Sequence, residues 1–129
     1  MKHKTKFVAI AGGLIAIAIY SSCAIVDMYA KSATKNVAFQ VVNARGIPDG
    51  VYNGSYEIVP VKVGIQVTIK NEAIVNITIL EHQNGRGSKA EMIVNDVIKN
   101  QRLEVVAVSG ATVSSKTILK AVENALLGN

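Results

Sequence analysis

From Val61 to Lys70 the chain alternates without a break: Val61, Val63, Ile65, Val67 and Ile69 fall on one side, Lys62, Gly64, Gln66, Thr68 and Lys70 on the other. Successive side chains of a strand point to opposite faces, so this pattern predicts a strand with one dry and one wet face. Such a strand belongs in an antiparallel or mixed sheet, with something apolar laid over its dry side.

The flanking residues supply the neighbours. Gly46, Pro48, Asp49 and Gly50 mark a turn and the start of a domain, and Val51 to Val59, with Tyr52 and Tyr56, alternates loosely as a first strand. Asn71-Glu72 makes a tight turn, after which Ile74, Ile77 and Ile79 form a third strand ending near Glu81. His82 to Ser88 is a polar loop containing glycine. Ala90, Ile93, Val94, Val97 and Ile98 then recur at helical steps up to Asn100. Leu103 to Val108 reads as a short buried strand. The last helix starts near Ser114 or Ser115, turns Ile118, Leu119, Val122 and Leu126 inward, and stops at Gly128. The predicted order is β-β-β-α-β-α, an α+β fold with a small antiparallel or mixed sheet and two packed helices. A domain of about 80 residues buries a modest core, so any ligand should sit in a shallow cleft.

The N-terminal end is different in kind. Lys2, Lys4 and Lys6 precede a stretch from Phe7 to Val26 without a charged side chain, roughly the helix length that crosses a bilayer core. Residues 1–30 are therefore predicted to be a membrane anchor or export signal, with an N-terminal transmembrane helix, 31–48 a tether, and 49–129 the folded domain. Lysines before an apolar span favour the cytoplasmic side, which puts the domain outside the cytoplasm. Cys23 stands where a bacterial lipoprotein carries its acylated cysteine, although Tyr20 departs from that signal; the other reading is a buried cysteine in the anchor. Residues 1–35 hold five lysines and one aspartate, a net +4 of the chain's +5. The remainder is nearly neutral, which argues against a nucleic-acid partner.

Between the Leu103–Val108 run and the last helix lies Ser109-Gly110-Ala111-Thr112. Gly110 permits close backbone approach, Ser109 and Thr112 offer hydroxyls, and the amides opening the helix around Ser114 and Ser115 supply donors and the positive dipole end, together an anion-binding corner. By composition alone the same residues also read as an ordinary connection with Ser114 or Ser115 as N-cap. No hydrolase triad, P-loop, GxGxxG or metal-ligand cluster is present.

Asp49-Gly50-Val51-Tyr52-Asn53-Gly54, the alternating hairpin, Glu81-His82 before a glycine loop, and Ser109-Gly110-Ala111-Thr112-Val113-Ser114-Ser115 before an amphipathic helix together resemble the FMN-binding domain family. This family includes flavin-carrying subunits of the Rnf complex and of the sodium-translocating NADH:quinone oxidoreductase. The resemblance covers about Asp49 to Leu127. It implies FMN as cofactor, with Thr112 as acceptor of a phosphoester installed by a flavin transferase. Ser109, Gly110 and Ala111 would shape the turn, and Ser114 and Ser115 would cap the helix or contact phosphate oxygens. Transferase targets in the family usually carry an aspartate three residues before the motif serine, where this chain has Val106.

His82 would lie near the flavin ring, against the plain alternative of a solvated loop histidine. Tyr52 and Tyr56 fit sheet packing, Arg86 an exposed loop tip, and nothing in the sequence pairs Glu81 with Glu91 as acid and base. The resemblance implies a membrane-anchored electron carrier or subunit, not a stand-alone enzyme, whose partners are redox proteins or a quinone-linked complex. The competing class is a flavin-free, membrane-tethered interaction module.

Overall fold

The computed structural model describes residues 24, 25, 28, 29, 32, 35, 37–40, 42–83 and 87–128. The predicted span Phe7–Val26 lies almost entirely outside them, as do Cys23 and Arg86, and among the described residues no helix is long and apolar enough to cross a membrane.

Strands β1 (Gly50–Ile58), β2 (Val61–Lys70) and β3 (Ala73–Gln83) form one antiparallel sheet in the order β1-β2-β3. The alternation of β2 is obeyed: Val63, Ile65, Val67 and Ile69 are at most 1% exposed. Asn71 and Glu72 turn the second hairpin with φ of 52° and 60°, the left-handed pair whose twist matches the flanking strands. The Asn71 N–H donates to Asp49 Oδ1 at 2.8 Å, tying this turn to the start of β1. Two register shifts leave Val75 and Leu80 of β3 without a facing residue on β2, and both are exposed. Bulges of this kind twist an edge strand and discourage pairing with another chain.

A 3-10 turn (Ser88–Met92) leads into α1 (Ile93–Asn100), which buries Ile93 and Val97. Helix α1 stops at Gln101, whose φ is 52°. The Gln101 side-chain amide accepts from Ile74 N–H at 2.8 Å and donates to the Ile74 carbonyl at 2.8 Å and the Ile98 carbonyl at 2.6 Å. One side chain thus closes the helix and occupies the strand edge. Helix α2 (Thr112–Leu127) covers β1 and β2 and buries Ile118, Leu119, Val122 and Leu126. Its approach depends on Gly54, where a methyl group would overlap the Ala121 carbonyl oxygen and lie 2.8 Å from Ala125 Cβ.

The predicted strand at Leu103–Val108 does not form, and the order is β-β-β-α-α. The Val105 N–H turns back to the Leu103 carbonyl at 2.8 Å instead of joining a ladder. Leu103 is buried and Val105 and Val108 pack against the core, but Val106 is 88% exposed. The run is apolar because individual residues dock on the core along an extended connection, and Val106 is not packed in a strand as its setting suggested.

Residues 37–40, just after the tether begins, are neither helix nor strand, yet the later part of that segment joins the fold. Val42 and Ala44 belong to the core, with Phe39 and Ile47 against it. Buried Glu123, 1% exposed, accepts the Gln40 N–H at 3.2 Å and a bond from Lys120, which also donates to the Ala38 carbonyl. These contacts fasten residues 38–40 to α2.

Candidate functional site

The turn before α2 is built from both of its sides. The Ala111 N–H donates to the Val108 carbonyl at 3.0 Å, closing a four-residue turn in which Gly110 holds φ +78°. Glycine is favoured at the third position of such a turn, and the space where its Cβ would stand is open. Below the turn the Ser115 hydroxyl accepts the Val108 N–H at 3.0 Å and donates to the Ala111 carbonyl at 2.8 Å.

Helix α2 starts two residues earlier than its sequence suggests. Ala111 is the N-cap, without a side-chain cap bond, and Thr112 is the first helical residue. Ser114 and Ser115 are 2% and 0% exposed, so neither caps the helix, and both hydroxyls lie inside the protein. The capping role is corrected for a physical reason: residues three and four positions into a helix that lies on a sheet face the core, where Ser115 satisfies the turn from beneath.

Ser109, Gly110 and Thr112 remain exposed, while Ala111 is buried. The amides of Thr112, Val113 and Ser114 open the helix and have no intrahelical acceptor, and the first turn carries no acidic residue. The exposed Thr112 therefore stands beside amide donors at the positive end of a helix of 16 residues. The arrangement suits a phosphate held near Thr112.

His82 is not in a loop. It sits near the end of β3, opposite Val63, and its side chain is 3% exposed. Nδ1 lies 2.8 Å from Glu91 Oε1, and Nε2 is buried without a hydrogen-bond partner among the described residues. Glu91 belongs to the 3-10 turn, which packs against α2. No local pattern signals this pair, since the contact joins a strand to a turn nine residues later and follows no helical or strand spacing. Glu81 instead lies 3.4 Å from Lys62 Nζ and accepts from Gln83. Tyr52 and Tyr56 pack against the core, and Tyr52 donates its hydroxyl to the Pro48 carbonyl at 2.7 Å.

Among known families, a sequence model described as FMN-binding domain matches residues 60–127, which is 68 of the chain's 129 residues. No curated protein matches the chain.

Proposed function

The chain belongs to the FMN-binding domain family and has FMN as its cofactor, and from that premise we propose that it is a membrane-anchored, extracytoplasmic electron-transfer subunit carrying FMN on Thr112. The observation that carries the reading is the exposed Thr112 at the first position of α2, inside the matched region.

The residues present fit the flavin's phosphate end. Gly110 leaves the approach open, the Thr112, Val113 and Ser114 amides offer donors, and Ser115 holds the turn rigid from the buried side. In the proposed loading step a flavin transferase delivers an activated flavin phosphate. A base of the transferase takes the Thr112 hydroxyl proton, the Thr112 oxygen bonds to phosphorus, and the bond from phosphorus to the activating group breaks, releasing that group. A tether of this kind suits an exported carrier, because a cofactor that dissociates outside the cytoplasm is lost. Bound FMN supplies the redox chemistry, and the protein positions it and tunes its potential.

The proposed partners are the membrane, the flavin transferase, and redox proteins or a quinone-linked complex of the Rnf or sodium-translocating type. The charge-free stretch behind Lys2, Lys4 and Lys6 supports an anchor with the domain outside. Coexpression with a flavin transferase followed by intact-mass measurement tests Thr112. The expected result is an FMN-sized increase that Thr112→Ala abolishes; an increase that survives this substitution overturns attachment there. A C-terminal reporter active only outside the cytoplasm tests the orientation.

A further inference from the structure

The His82–Glu91 pair has a property that its surroundings do not use. An ionised carboxylate can only accept, so the 2.8 Å contact with Glu91 assigns the proton of a neutral His82 to Nδ1. Nε2 is then a lone-pair acceptor, buried and without a donor among the described residues. A buried polar atom without a partner is costly, and few occur in a folded domain. Here the ring is also held in one orientation, because the carboxylate that fixes it sits on the 3-10 turn packed on α2.

The elements around this acceptor adjoin the helix that carries the phosphate corner: the 3-10 turn bearing Glu91 packs on α2. Helix α1 starts just after Glu91 and Met92 and ends at Gln101, which is bonded to Ile74 at the far end of β3. The connection that follows runs back beside α1, with Arg102, Glu104, Val105 and Val106 lining one surface together with Asn100 and Asp96. The first part of the connection therefore lies beside the second half of α1. Val106 and Met92 are 88% and 68% exposed.

Resting on the reading of Thr112 as the phosphate site, we propose that His82 Nε2 is the acceptor for an N–H donor on the edge of the bound isoalloxazine, with Glu91 as the positioning residue that selects the accepting tautomer. Oxidised isoalloxazine carries one such group, the imide N–H between its two carbonyls. The tautomer held by Glu91 is complementary to that donor; the opposite tautomer would set two donors against each other. Because Nε2 is covered in the free chain, binding is coupled to a local rearrangement at the end of β3.

The test uses the full chain in detergent, produced without a flavin transferase and labelled with 15N at histidine, with FMN as the probe. Before FMN is added, in spectra of the neutral ring, His82 should show a protonated Nδ1 and an unprotonated Nε2. Saturating FMN should shift the Nε2 resonance as it gains a hydrogen bond. Glu91→Gln should redistribute the tautomers and weaken FMN binding about threefold to tenfold, the worth of one neutral hydrogen bond. A proton on Nε2 in the free wild-type chain overturns the proposal. So does an Nε2 resonance unmoved at saturation, and in that case the Thr112 reading stands. Absence of any FMN binding overturns the His82 proposal, while attachment at Thr112 is decided separately by the intact-mass experiment.

Discussion

The Ser115 hydroxyl accepts the Val108 backbone N–H at 3.0 Å, and the same oxygen donates to the Ala111 carbonyl at 2.8 Å. A side chain with no solvent exposure thus ties the last residue of the extended connection to the N-cap of α2, and Thr112 is displayed above that knot. Ser115→Ala removes the acceptor of a part-buried N–H and is expected to cost about 1–3 kcal/mol. The domain should remain folded by circular dichroism while FMN loading, read by intact mass, falls. Wild-type loading in a folded Ser115→Ala chain would show that the turn does not depend on this bond.

Val106 is exposed at the position where transferase targets in the family usually have an aspartate. A polar replacement at so open a site should change stability by less than about 0.5 kcal/mol. Val106→Asp is therefore expected to unfold nothing and to raise the fraction of chain loaded with FMN under limiting transferase. An unchanged fraction would remove Val106 from the account of loading.

At Gly54 the helix and sheet backbones approach too closely for a methyl group. Gly54→Ala must push α2 away from β1, with an expected loss of about 2 kcal/mol or more in urea unfolding. The same displacement would move the helix that carries Thr112, so loading should fall in parallel. A loss under about 0.5 kcal/mol would mean that the helix can shift freely.

Gln101→Ala leaves both backbone groups of Ile74 without their side-chain partner and uncaps α1. The expected destabilisation is about 1–3 kcal/mol. Amide exchange at Ile74 should accelerate, whereas exchange in the centre of α2 should follow only the global change in stability. Protection at Ile74 equal to wild type would place its hydrogen-bond partner elsewhere.

Much of the domain was legible in the residues. The β2 alternation, the Asn71-Glu72 turn, and the inward row Ile118, Leu119, Val122 and Leu126 follow from local periodicity, which a single stretch of sequence contains. The turn ahead of α2 was legible too, because glycine and hydroxyl residues between an apolar run and a helix report local backbone needs. Leu103–Val108 misled for the same reason: an apolar run states that residues are dry, not that a sheet edge awaits them. Val106 and His82 had to be read from the fold, one exposed where its neighbours are apolar and the other buried beside a polar loop.

By itself the sequence determined which residues alternate, which recur at helical steps, where the chain must turn, and the residue pattern from which FMN was expected. Tertiary structure alone decided that α2 begins at Thr112, that Ser114 and Ser115 face inward, and that Glu91 meets His82. Periodicity and turn chemistry act over a few neighbouring residues and are written in their order, whereas the burial of a hydroxyl or the partner of an imidazole depends on distant elements that meet only when the core closes.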